Sequence, residues 1–352
     1  MKILVLTRYG CLGASSRLRT YQFIPVLKSF GIDCTLSPLI DDTLLSKKYL
    51  NGNYPIIGLL FSYLNRIFTM LTAWRYDFIW IEKEALPWFP AWLEKTLLFG
   101  RQFVLDFDDA IFHNYDLHPN PIVKKIWGKK IDSLMAKSAA IFAGNDYLAK
   151  RAEKVSNSMI YYVPTVVDIF RYSNVYDTRT CARARIVWIG SPSTVKYLDI
   201  VAPALQRLAM SHSFTLRVIG AQWQYEGIQV ECLPWNSNTE VKYIAESDIG
   251  IMPLADTPWE HGKCAYKLIQ YMACGLPTVC SPIGANEVVV TEQTGFFAYN
   301  EEDWFEAFQV LLGDETLRRR LGNAGLERVN TMYSLQVIGP VLAGYFKKLN
   351  QQ

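Results

Sequence analysis

Histidine is scarce in this chain: 352 residues carry four of them, at positions 113, 118, 212 and 261. His118, His212 and His261 have no partner at metal-ligand spacing, and there is no zinc motif, Cys–His signature or nucleophile elbow. The seven cysteines never form a C-x-x-C pair. An odd, scattered set speaks against a disulfide framework and fits a reducing compartment. No collagen period, heptad array or repeat of 20–50 residues is visible. Neither a full G-x-G-x-x-G nor a Walker motif is present. The absence of a recognised nucleic-acid motif or a long basic run argues against nucleic acid as a partner. The start, MKILVLTRYG, lacks the long apolar segment and small-residue cleavage site of a secretory signal, so a cytoplasmic protein is expected.

What is present is material for an ordinary packed core: 50% hydrophobic and 20% charged residues. At ~150 residues per domain the length predicts two domains, or one large one. The net charge of +3 is uneven. Residues 1–165 hold 20 Lys and Arg against 14 Asp and Glu, a balance of +6; residues 166–352 hold 16 against 19, a balance of −3. A basic first half suits either an ordinary difference of surface or an anionic partner such as a phospholipid surface.

Short apolar runs that end in turns alternate with helical patterns, which means a parallel sheet covered on both faces. In the first half the runs are Ile3–Thr7, Ile32–Leu36, Phe78–Glu82, Phe103–Phe107 and Ala140–Gly144. Ser15 and Ser16 are expected to cap a helix reaching Ser29, and residues 126–136 carry another helical pattern. In the second half the runs are Arg185–Ile189, Thr215–Ile219, Ile249–Pro253 and Thr278–Ser281, with helices ending near Met210 and Gly275. The polar stretch near 164–184 reads as the linker. Doubly wound domains bind ligands at the carboxyl ends of their strands.

Several residues at such ends carry chemistry. In EHGKCAYKLIQYMACGLPTVCSPIGANEVV (260–289), Lys263, Tyr266, Lys267 and Gln270 stand at i, i+3, i+4 and i+7, one face of a helix. The two lysines suit a diphosphate or, equally, a solvated face. In VLDFDDAIFH (104–113), Asp106, Asp108 and Asp109 follow a buried strand, and His113 comes shortly after. These residues suit a Mg²⁺ site, general proton handling, or plain helix capping. YGCLGASSRLR (9–19) is a strand, a glycine turn with Gly13, and a helix start. Arg17 and Arg19 either enter a cleft or solvate that helix.

The stretch YMACGLPTVCSPIGANE resembles the donor-binding segment of glycosyltransferase family 4, and the resemblance extends over the second half of the chain. It is most similar to a subgroup with the pattern K-C-x-[FY]-K-L-I-Q-Y-M-A-C-G-L-P. Two positions depart from the family pattern. Gln270 stands where the second motif glutamate belongs, and Gly262 where the first belongs, with Glu260 two places away. In WIGSPSTVKYL (188–198), Lys196 matches the family's diphosphate lysine while Ser191 occupies the arginine position. The resemblance puts Trp235 beside the nucleotide base, and Gly284 and Glu287 on a turn near the phosphates and sugar.

The implied fold is α/β, GT-B: two Rossmann-like doubly wound domains facing across a cleft. Residues 1–165 would be the acceptor side and 166–333 the donor side, with a final helix at 334–349 packing back on the first domain. The implied activity is metal-independent, retaining transfer from a nucleotide-diphosphate sugar, without cofactor, to a hydroxyl of a glycan or lipid-linked glycan, as in cell-surface polysaccharide assembly. Lys196, Asp108, Asp109 and His113 are the catalytic candidates. Gly13, Ser191, Lys196, Trp235, Lys263, Tyr266, Lys267, Gln270, Gly284 and Glu287 are the donor-binding ones. The alternatives are a nucleotide-sugar-binding scaffold without turnover, motivated by the missing glutamates, and a GT-B epimerase.

Two further stretches, 56–74 and 86–99, are strongly apolar, yet neither makes a convincing span. The first is interrupted by Asn65 and Arg66, and a span needs ~20 apolar residues. They are either core helices or surface elements that meet an anionic membrane together with Lys124, Lys125, Lys129 and Lys130.

Overall fold

The computed structural model describes residues 1–173 and 183–351. Much of the expected linker, together with Cys181, lies outside the described residues. The chain divides into two units. Unit 1 comprises Met1–Thr165, Gly262–Cys264 and Ile338–Gln352; unit 2 comprises Val166–His261 and Ala265–Val337.

Unit 1 holds six parallel strands: β1 (Lys2–Tyr9), β2 (Asp33–Ile40), β3 (Phe78–Glu82), β4 (Phe103–Phe107), β5 (Ala140–Ala143) and β6 (Met159–Tyr162). Their order is β2-β1-β3-β4-β5-β6. Every residue of β3, β4 and β5 is buried, as expected of strands with helices on both faces. Phe346, from the last helix, Leu335–Leu349, packs in this unit edge-on against Trp80 at 5.4 Å and Phe142 at 5.3 Å between ring centres.

Unit 2 repeats the plan with β7 (Ala184–Ile189), β8 (Phe214–Ile219), β9 (Val230–Leu233), β10 (Ile249–Met252), β11 (Thr278–Cys280) and β12 (Gly295–Phe297). Its order is β12-β11-β10-β7-β8-β9, again with parallel pairs throughout. Each order reverses once, between β1 and β3 and between β7 and β10. At such a switch point neighbouring crossovers leave on opposite faces and open a crevice at the carboxyl ends.

Three local expectations need correction. Ser15 and Ser16 cap nothing: the helix Ala14–Arg19 starts from Gly13 without a side-chain cap, and both hydroxyls turn to Glu82. Nor does that helix run to Ser29, because a 3₁₀ turn at Tyr21–Phe23 separates it from Ile24–Ser29. Lys263 shares no helix face with Lys267, because the helix begins at Tyr266 and Ala265 before it is left-handed, at φ 54°.

Candidate active site

In unit 1 the side chains at the β1/β3 switch point form one polar cluster. Glu82 ends β3. Its carboxylate accepts from the backbone N–H of Arg8 at 3.0 Å and from the Ser15 hydroxyl at 2.8 Å. Ser15 Oγ also lies 3.0 Å from Asp108 Oδ2 and accepts from Lys83 Nζ at 2.9 Å. Lys83 reaches Asp108 Oδ1 at 2.9 Å and Asp109 Oδ2 at 3.4 Å. Its backbone is left-handed, at φ 65°, a strained state for a residue with a Cβ.

Burial pushes the Asp108 carboxyl up, but Lys83 and Arg19 outweigh it and hold it below the usual range. Burial raises Asp109, and Lys83 only partly offsets that. Asp109 is also the most open of the pair, with about a third of its side chain exposed. The Lys83 ammonium thus already occupies the place between the two carboxylates that the Mg²⁺ reading would have used. Among the described residues, no group of three or more His, Cys, Asp or Glu is placed to hold a metal ion.

Asp106 does not join Asp108 and Asp109. It is buried, takes two guanidinium N–H groups from Arg19, with Nε at 3.0 Å, and accepts from the Trp80 indole at 3.1 Å. Arg19 thus neither solvates its helix nor opens outward; it also donates to the Val163 carbonyl at 2.7 Å. His113 is held at both ring nitrogens, Nδ1 at 2.7 Å from Asp116 and Nε2 at 2.8 Å from the Tyr147 hydroxyl. Its side chain is 8% exposed. Lys130, counted above among the lipid-facing lysines, is buried between Glu84 and Glu94 at 2.7 Å from each.

The short segment Gly262–Cys264 belongs to this unit. Asn145 Nδ2 donates to the Lys263 carbonyl at 2.9 Å, and Cys264 Sγ lies 3.2 Å from the Asp108 carbonyl. Burial still raises the Asp109 pKa overall, and the Lys263 charge, like that of Lys83, works against the rise. A Cβ on Gly262 would stand 2.6 Å from the Ala110 backbone nitrogen, so the place of the first motif glutamate has no room for a side chain.

In unit 2 the carboxyl ends of β7, β8 and β9 meet. Gly190 follows β7, and a Cβ there would strike the Trp188 ring at 2.4 Å. Lys267 Nζ lies 4.4 Å above the same ring, a cation–π contact that ties the start of Tyr266–Ala273 to β7. Gly220, after β8, has φ +89°, and a Cβ there would stand 2.3 Å from the Gly190 carbonyl and 3.2 Å from Trp235 Cβ. Only glycine satisfies both the dihedral and the approach.

Ser191 is exposed and hydrogen-bonded to Ser193 at 2.8 Å. Lys196 is exposed on the turn Val195–Tyr197. The next residue, Tyr197, donates its hydroxyl to the buried Glu260, which also accepts from Thr257. Gly284 is left-handed, at φ +59°, with no room for a side chain against the His261 backbone at 2.7 Å. Glu287 is exposed in the first turn of Asn286–Val289.

A second group lies around Glu240. This buried carboxylate accepts from the Trp235 indole at 2.7 Å and from Arg171 at 3.0 Å, so the half-exposed Trp235 ring is fixed in place. Tyr266 stands within electrostatic reach of both Arg171 and Tyr172. Gln270 is 2% exposed, and its amide donates to the Tyr172 hydroxyl at 3.3 Å.

The structure therefore brings Asp108, Asp109 and Lys263 into one neighbourhood and Gly190, Lys267 and Trp235 into another. It does not leave His113 or Gln270 open in the same way. Sequence reasoning passed over Glu82, Lys83, Tyr172 and Glu240. A signal for the first two was present: the charges of Glu82, Lys83 and Glu84 come directly after the apolar run Phe78–Ile81.

Residues 183–314 match the family model described as glycosyl transferases group 1, a little over a third of the chain. No curated protein matches. Solved structures resemble the chain over nearly its whole length. Sucrose-phosphate synthase from Thermosynechococcus elongatus has a TM-score of 0.74 at 13% identity, covering 99% of both chains. HepE from Anabaena, solved in complex with UDP-glucose, has 0.73 at 15% identity, covering 99% of this chain and 100% of that one. A glycosyltransferase from Rickettsia africae has 0.71 at 16% identity, covering 99% and 98%. At these identities the likeness carries the fold, GT-B with two Rossmann-like α/β units.

Proposed function

We propose that the chain is a glycosyltransferase of family 4 that moves a hexosyl group from a nucleotide-diphosphate sugar to a hydroxyl of a glycan or lipid-linked glycan, with retention and without metal. One coincidence carries the reading. The stretch matching the glycosyl transferases group 1 model, residues 183–314, contains the crevice residues at the carboxyl ends of β7 and β8. Gly190 and Gly220 let the turns after β7 and β8 close on each other and on Trp188 and Trp235, and Lys267 and Lys196 supply positive charge on neighbouring elements.

On this reading the diphosphate lies against the Gly190–Lys196 turn, with Ser191 donating, while Lys196 and Lys267 stabilise the negative charge that grows as the sugar leaves. Trp235, pinned by Glu240, offers its half-exposed ring to the base. Tyr266, Gln270, Gly284 and Glu287 border the ribose and sugar. In unit 1, Gly13 and Asp108 shape the acceptor wall, Asp109 accepts a hydrogen bond from the acceptor hydroxyl, and His113 positions that wall through Asp116 and Tyr147. The site of action is the cytoplasm, where sugar nucleotides are met.

The test is a panel of sugar nucleotides with and without glycan acceptors and a chelator. Nucleoside diphosphate release that needs acceptor and ignores chelator is expected, with product anomers read by NMR. Binding without turnover would make the chain a scaffold. An isomerised donor without acceptor would make it an epimerase.

A further inference from the structure

The helix Ile56–Leu71 is amphipathic in the wrong direction for a water-soluble surface. Ile56, Ile57, Leu60, Phe61, Leu64 and Phe68 are all more than half exposed, and Ile56 reaches 85%. At 3.6 residues per turn these positions fall on a single flank of roughly 140°. The only charged residue of the helix, Arg66, faces the other way. It is 1% exposed and donates to the carbonyls of Thr7 at 2.6 Å and Ser37 at 2.8 Å. Leu59 and Tyr63 pack inward on Leu39, Ile40, Leu44 and Leu45. The interruption at Arg66, which read in the sequence as a break in an apolar stretch, is thus what anchors the helix to the sheet while its greasiest flank stays in water.

The same inversion recurs next door. The helix Ala91–Leu97 has one acid, Glu94, which is buried on Lys130, while Trp92 is 64% exposed. Aromatic contacts tie these elements together. Tyr63 meets Phe89 at 5.2 Å between ring centres and donates its hydroxyl to the Pro87 carbonyl at 3.0 Å. Trp88 meets Trp127 at 6.5 Å, at the end of the helix Pro121–Trp127, where Ile122 and Ile126 are exposed beside Lys124 and Lys125.

Charge decides the occupant. From residue 43 to residue 76 there is no Asp or Glu, and Lys47 and Arg75 are exposed on either side of the apolar helix; the exposed carboxylates nearest in sequence are Asp41, which lines a surface pocket with Lys47 and Phe61, and Asp77. A second copy of the chain would bring like-charged rims together, because an isologous interface pairs a patch with itself. A partner with negative charge over an apolar interior matches both parts of the surface. No helix among the described residues is long and apolar enough to cross a membrane. We infer that the Ile56–Leu71 face is a docking surface for an anionic lipid bilayer, with the helix lying in the headgroup region and its Phe and Leu side chains entering the acyl boundary. Trp74, Trp88 and Trp92, each partly exposed, sit at the headgroup level that tryptophan favours. This inference stands on geometry and does not depend on the transferase reading.

The experiment is co-sedimentation of the full chain with phosphatidylcholine vesicles, with and without phosphatidylglycerol, at low and high salt. Pelleting with the anionic vesicles, weakened by salt, is expected. Phe61→Glu combined with Phe68→Glu should lower vesicle affinity by about tenfold or more, and Ile57→Asp combined with Leu60→Asp should do the same. These four side chains are exposed, so melting temperature should hold in both variants. Met210→Glu, a change at an equally exposed apolar residue of unit 2, should bind as the unaltered chain does. No pelleting with any vesicle would overturn the inference. So would a dimer, by light scattering, that both double variants dissolve in the absence of lipid binding.

Discussion

Lys83 stands 2.9 Å from Asp108 and 3.4 Å from Asp109, so one buried ammonium serves two adjacent carboxylates. Burial opposes the charge on Lys83, yet Asp108 and Asp109 outweigh it and raise its pKa. The cluster is interdependent: removing the cation leaves two like charges with little water between them.

Lys83→Met should therefore cost about 3–5 kcal/mol of stability at neutral pH, the range for a buried pair broken on one side. The sign with pH follows from Asp109, whose pKa burial already raises. Without Lys83 it rises further, so the proton is bound more tightly in the folded state. The variant is then least impaired near the unfolded carboxyl pKa of ~4 and loses stability as pH rises through the folded value. Urea unfolding at acidic and neutral pH checks this; an equal loss at both would disconnect Lys83 from the carboxylates.

Lys196→Ala and Lys267→Ala should each weaken nucleoside diphosphate binding by about 1.5–3 kcal/mol, the worth of a charge-assisted bond. Lys196 is exposed, so its variant should melt as the unaltered chain does. Lys267→Ala also loses the contact over Trp188 and should melt slightly earlier. Calorimetry with unchanged affinity in both variants would remove the pair from the site.

Restoring the family glutamate at position 262 should fail. Gly262→Ala already forces a Cβ against the Ala110 backbone nitrogen at 2.6 Å, an overpacking cost of about 1–3 kcal/mol. Gly262→Glu should be worse. A thermal melt in which either variant is as stable as the unaltered chain would contradict the packing account.

Gln270→Glu puts a carboxyl at a position 2% exposed, beside the Tyr172 hydroxyl. Desolvation raises the folded pKa of such a group, so its contribution is kept below the unfolded pKa of ~4.3 and lost as pH rises. The variant should match the unaltered chain near pH 4 and melt lower at pH 8. No pH dependence in the difference would mean that solvent reaches the position.

The parallel strands were legible because the interior strands are short, largely buried apolar runs ending in turns, as in Phe103–Phe107 and Thr278–Cys280. Met159–Tyr162 and Gly295–Phe297 escaped notice. Both lie at sheet edges, are three or four residues long and are partly exposed, so they carry no continuous apolar signal. The site was legible in part for the same reason: residues after a strand are visible, while partners brought by the fold are not. Nothing in the neighbourhood of Asp108 predicts Ser15, 93 residues away, and nothing near Trp235 predicts Arg171 on the same carboxylate. Periodicity misled at Lys263, because Ala265 leaves the helical region and spacing cannot report a left-handed residue.

The central claim is that unit 2 holds a nucleotide diphosphate at the carboxyl ends of β7 and β8. Titration calorimetry of the intact chain with UDP, GDP, ADP, CDP and dTDP in the presence of a chelator tests it most directly. The account predicts one site, saturated by one of these nucleotides, competed by the matching sugar nucleotide and weakened by Lys196→Ala and Lys267→Ala. Heat no greater than dilution for all five nucleotides would contradict it.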